Sequence, residues 1–80
     1  MSRQHHYLKC ETKEFQAVER GDMTFNIRLN DRNFKKNDIV YLQETVDGRK
    51  TGRELPPVEI RFVLVGGKWG LAPDYCVFNW

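Results

Sequence analysis

Four polar side chains at alternate positions, Thr24, Asn26, Arg28 and Asn30, offer a hydroxyl, two amides and a guanidinium. On a strand they share one face, with roughly 6.6 to 7 Å between neighbours. Such a row suits reading the edge of an unstacked base while Arg28 grips a phosphate or stacks on a ring. Arg32, Lys35 and Lys36 follow closely and extend the positive charge, and Lys9 can reach the same cleft from an earlier strand. Trp69 and Tyr75 are candidate stacking partners, worth roughly 1 to 3 kcal/mol per stacked base. An ordinary solvent-facing strand, with Arg28 paired to a nearby acid, accounts for the same row. Asn30-Asp31-Arg32 is also a turn sequence, because Asn and Asp bond their own backbone.

Other chemistries find less material. His5 and His6 are adjacent and point opposite ways on a strand, so they make a poor metal pair, and no metal or cofactor is expected. Cys10 and Cys76 lack paired metal spacing and fall in strand patterns, which favours buried, reduced thiols over nucleophiles. Ser2 is the only serine and sits at the terminus, a poor place for a nucleophile.

The elements that would hold these groups are short. His5 to Cys10 alternates as a strand with His6, Leu8 and Cys10 on one side. Thr12 to Arg20 reads as two helical turns, with Thr12 as N-cap, Phe15 and Val18 on the core face and Gly21 at the stop. Met23 to Leu29 is the working strand, and its apolar set, Phe25, Ile27 and Leu29, is expected in the core. Asn30 to Asp38 is a polar loop anchored by Phe34. Ile39 to Glu44 resumes a strand, and Val46 to Pro57 forms an exposed hairpin or arm. Val58 to Val65 reads as one strand with Val58, Ile60, Phe62 and Leu64 inward. Gly66-Gly67 turns the chain, Trp69 sits on an exposed loop, and Tyr75 to Trp80 is the last strand. Phe62 and Phe78 are expected in the core. Five or so strands and one helix predict a small α+β domain whose sheet curls into a partly closed barrel.

Eighty residues allow one domain, spanning 1–80, and one core. At 40% hydrophobic and 30% charged the chain is ordinary for a globular protein, and a net charge of +2 is too small for binding nucleic acid by bulk charge. No stretch approaches the roughly 20 apolar residues that span a bilayer, and MSRQHHYLKC lacks a signal-peptide core, so a cytoplasmic protein is expected; separately, a monomer is the expected state.

The residues also carry a resemblance. The order HxLK (His6 to Lys9), F-x-x-V-x-x-G (Phe15 to Gly21), T-F-x-I-R-x-N-D-R-x-F (Thr24 to Phe34), D-I-V-x-L-x-E (Asp38 to Glu44) and GG-x-x-G-L-x-P-x-Y (Gly66 to Tyr75) resembles short bacterial and phage proteins of unknown function within the ASCH domains, of the PUA-like superfamily. The resemblance implies a β-barrel with a flanking helix and a role in binding RNA. Related ASCH sequences run G-x-K-T-x-E-x-R, whereas Met23 and Asn26 stand at the lysine and carboxylate positions. Some small ASCH proteins are amidohydrolases acting on acetylated cytidine and use that lysine, with a hydroxyl residue at the Asn26 position. A thioether carries no proton at neutral pH, so the resemblance points away from that reaction. The expected function is a non-catalytic module for single-stranded or modified RNA or a nucleoside, with Lys9, Thr24, Asn26, Arg28, Asn30, Arg32, Lys35, Lys36, Trp69 and Tyr75 as its contacts. The alternatives are a phage-type accessory protein using the 46–57 arm on a protein partner, and an amidohydrolase that keeps Thr24 and recruits Lys9 or Glu59.

Overall fold

A computed structural model describes residues 3–80, and Ser2 lies outside them. The order is β1 (His5–Glu11), α1 (Thr12–Glu19), β2 (Phe25–Leu29), β3 (Ile39–Val46), β4 (Arg49–Glu54), β5 (Val58–Glu59), β6 (Phe62–Val65) and β7 (Tyr75–Asn79). These form two sheets. In the first, β3 is central, parallel to β1 on one side and antiparallel to β4 and then β5 on the other. In the second, β7 lies between β2 and β6, antiparallel to both. The expected α+β class holds, with mostly strand and one helix, but the barrel does not: the ladders end at β1 and β4 in one sheet and at β2 and β6 in the other.

The helix stops as its sequence indicates. Gly21 takes φ +84°, Asp22 N–H donates to the Ala17 carbonyl at 2.9 Å and Gly21 N–H to that of Val18 at 3.0 Å, a Schellman cap. Its start differs, because Glu11 occupies the N-cap without a side-chain bond and the Thr12 hydroxyl donates instead to the Thr45 carbonyl at 3.3 Å. Phe15 is buried, and the Arg53 guanidinium lies 5.1 Å from its ring centroid while pairing with Glu19 at 2.8 Å and Glu44 at 3.7 Å. The stretch after Val46 is an exposed hairpin as expected, with β4 exposed throughout, and Arg53 ties it to the helix.

Two expectations about faces fail for physical reasons. Alternation in β2 separates two sets of side chains but does not say which is inward. Asn26 is buried and Phe25, Ile27 and Leu29 are exposed, the reverse of expectation. Val58 to Val65 is not one strand. Leu55 N–H still bonds the Leu42 carbonyl, Pro56 and Pro57 cannot donate, and the ladder to β3 resumes at Val58. The chain then leaves the first sheet: Ile60 N–H donates to Asp38, Arg61 N–H to Asn79 in the second sheet, each at 2.9 Å. The phase of alternation breaks at that crossing, so Ile60 is fully buried and Phe62 is exposed.

The core between the sheets holds Leu8, Phe15, Phe34, Val40, Leu42, Ile60, Phe78 and both cysteines as free thiols. Phe34 anchors its loop there, its ring centroid 5.0 Å from Phe78 and 4.6 Å from the His6 ring. His6 Nε2–H donates to Asp38 Oδ2 at 2.9 Å with both side chains buried. The backbone N–H groups of Gln4 and Lys35 donate to the same carboxylate at 3.2 and 3.0 Å. Burial alone would raise the Asp38 carboxyl, but the His6 and backbone hydrogen bonds and the His6 charge outweigh it and hold it below its ordinary value. A depressed folded-state carboxyl stabilises the fold above its unfolded value, about pH 4, and that contribution is lost as pH falls through the folded value. The thermal midpoint should drop as acid passes below about pH 4. Asp38→Asn should flatten that acid limb, and an unchanged limb would show that other carboxylates set it.

Candidate functional site

The edges of the two sheets meet where β1 runs past β2. On the edge of β1 away from β3, the carbonyls of Tyr7 and Lys9 lack strand partners, and two arginines cover them. Arg28 Nη2 donates to the Lys9 carbonyl, and Arg32 Nη1 donates to that of Tyr7 at 3.2 Å. Arg28 also donates through Nε to Asn26 Oδ1 at 2.6 Å, which satisfies the buried amide and fixes the plane of the guanidinium. Burial lowers the Arg28 pKa, the neighbouring Cys10 opposes that, and the charge of Arg32 lowers it further. Burial also raises the Cys10 thiol, against the pull of Arg28, so Cys10 stays a neutral thiol rather than a nucleophile.

Among the described residues neither Arg28 nor Arg32 has a carboxylate within ion-pair distance. A guanidinium has five N–H donors in a planar fork. Arg28 uses two on its own chain and Arg32 one, so both keep donors for a ligand. Because their acceptors are two residues apart on β1, the two groups are spaced by roughly 6.6 Å along its edge.

Beside them an open cleft of about 310 Å³ is lined by Lys9, Cys10, Glu11, Glu14, Asn26, Ile27, Arg28, Leu29 and Tyr75. The fold thus joins four of the expected contacts, Lys9, Asn26, Arg28 and Tyr75, and sets Arg32 on the adjoining edge. The other five stand apart. Thr24 is exposed before β2, where its carbonyl accepts from Trp80 N–H. Asn30 is a turn residue, with Oδ1 accepting from Phe34 N–H at 3.2 Å. Lys36 lines a separate cavity of about 540 Å³ with Arg61 and Trp80, and Lys35 is exposed on the same loop. Trp69 is exposed, as its loop sequence indicates, at φ +53° beneath the Lys68 ammonium. Among the described residues no group of three His, Cys, Asp or Glu side chains could hold a metal ion.

Sequence reasoning missed Tyr7 and Tyr41. They are directly paired across β1 and β3, and their rings stack at 4.4 Å between centroids and 8° between planes, with His5 against Tyr41 at 5.8 Å. Tyr7 is more than half exposed and its carbonyl holds Arg32. The alternation His5, Tyr7, Lys9 was visible, but the parallel register that brings Tyr41 beside Tyr7 spans 34 residues and has no local signature.

These features define a small two-sheet α+β domain with an arginine-lined edge and an open polar cleft. The chain belongs to the family described as Domain of unknown function (DUF3850), whose profile matches residues 5–80. No curated protein matches it significantly. No helix among the described residues is long and apolar enough to cross a membrane.

Proposed function

We propose that the domain is a non-catalytic module that binds single-stranded or modified RNA along the β1 edge and the cleft beside β2. The observation that carries this reading is the pair of guanidiniums, Arg28 and Arg32, held by β1 carbonyls with donors left over and no carboxylate partner. Two fixed cations at this spacing suit successive phosphates of an extended strand, and a fork matches phosphate better than a lysine ammonium does. Tyr7 on one side and Tyr75 on the other offer stacking surfaces next to the phosphate track, and buried Asn26 orients Arg28 rather than touching a base. The likeness to ASCH domains supports the same ligand class. It also carries the PUA-like affiliation, with two open sheets in place of the closed barrel. The amidohydrolase alternative has less support, because Met23 holds the lysine position and Thr24 is outside the cleft lining.

Fluorescence anisotropy with short single-stranded RNAs over a range of salt tests the proposal. Each phosphate contact on a single strand contributes about 0.7 to the slope of log K against log salt. Arg32→Ala should lower that slope by about this amount and weaken binding at low salt, leaving the thermal midpoint near wild type. Tyr7→Ala should weaken binding by roughly 1 to 3 kcal/mol without changing the slope. If no RNA or nucleoside, acetylated cytidine included, binds at low salt, the proposal fails.

A further inference from the structure

The second sheet is covered on one side only. Direct pairing sets Phe25, Asn79 and Phe62 in one row across its outer face, Ile27, Val77 and Leu64 in the next, and Leu29 and Tyr75 in the third. Five of these are large apolar groups at the surface: Phe25 is 44% exposed, Ile27 54%, Leu29 43%, Phe62 62% and Tyr75 41%. We infer that this face is the interface of a two-fold symmetric homodimer in which the second sheets of two copies pack face to face.

Three observations favour a second copy as the occupant. The face carries no charged side chain, so it offers nothing to the phosphates of a nucleic acid or an anionic membrane, while an identical apolar face complements it without like-charge repulsion. Its area fits a modest dimer. On full areas of about 150 to 250 Å² each, the three aromatics alone leave roughly 200 to 400 Å² exposed. The aliphatic groups bring the face to the upper range of apolar patches on monomers, and with a polar rim it approaches the roughly 800 Å² per partner of a standard interface. Finally, domains of this size commonly gain stability from disulfides, metals or oligomerisation. The core here is small, nine buried apolar residues among those described with both cysteines free, so association would add to it.

Two twisted sheets meeting this way pack about 10 Å apart. Interfaces of standard area span about micromolar to picomolar dissociation constants, and this smaller face is expected at the weak end. In a two-fold interface each substitution is felt twice. Ile27, Leu29 and Tyr75 also line the cleft, so the two surfaces share a border, and Phe62 on β6, outside the cleft lining, is the position that reads association apart from RNA binding.

Sedimentation velocity on the full chain, from about 1 μM to about 1 mM, reads the result directly. The mass should rise to twice that of one chain. Phe62→Glu and, separately, Ile27→Glu should raise the dissociation constant at least about 100-fold, with circular dichroism and the midpoint at low concentration unchanged. The mild Phe62→Ala should give an intermediate shift and serves if a charged variant fails to fold. A single-chain mass at every concentration overturns the inference, whether or not the protein then binds vesicles of neutral or anionic lipid. So does a dimer indifferent to these substitutions, or a mass that keeps growing past two chains.

Discussion

Gly66→Ala is expected to remove about 3 kcal/mol of stability, the upper end of the cost of overpacking, and to shift the urea midpoint accordingly. A Cβ on Gly66 would lie 1.8 Å from the Ala72 carbonyl oxygen and 2.7 Å from that of Tyr75. Both atoms are backbone, so no rotamer change relieves the contact. Gly66 N–H also donates to the Tyr75 carbonyl at 2.8 Å, joining the end of β6 to the start of β7, and moving the chain to make room breaks that bond. For a domain stabilised by roughly 5 to 15 kcal/mol, such a loss is a large share. Gly67→Ala is the control: its neighbourhood is open, and only its φ of +99° penalises a side chain, by about 1 to 2 kcal/mol. Equal losses from the two substitutions would show that conformation, and not close approach, governs this turn.

Phe78→Ala should cost about 3 to 5 kcal/mol, while Phe62→Ala should stay within about 0.5 kcal/mol at dilutions where single chains predominate. The two phenylalanines look alike in sequence, each flanked by alternating apolar residues. Phe78 is fully buried between Phe34 and Trp80, with ring centroids at 5.0 and 6.1 Å, and through Phe34 it backs the His6–Asp38 pair. Phe62 stands in solvent on the outer face. Unfolding in urea separates them, and a cost at Phe62 comparable to that at Phe78 would mean that the second sheet faces the other way.

That contrast marks where the sequence is legible. Local signals were: the Schellman glycine after the helix, the inward set His6, Leu8 and Cys10 on β1, the Phe34 anchor and the exposed hairpin within 46–57 each follow from residues within a few positions. Orientation was not. Which side of β2 meets the core is decided by β7, about 50 residues later, and by the pairing of Asn26 with Arg28 that lets a polar face turn inward. The break at Ile60–Arg61 depends on two different sheets competing for one segment, which alternation cannot report. Of the expected site, Lys9, Asn26, Arg28 and Tyr75 converge because β1 and β2 meet at their edges. Lys36 and Trp69 do not, since their loops leave from other corners.

The position of β7 has a consequence for how the molecule comes into being. The middle strand of the second sheet is the last one made, and neither β2 nor β6 has another partner in that sheet. Until residue 79 has left the ribosome, β2 and β6 wait with their ladder groups unpaired and their apolar side chains bare. The second sheet therefore cannot assemble until β7 is made, whereas every strand of the first sheet is complete by Glu59, so the two halves of the core become available at different times.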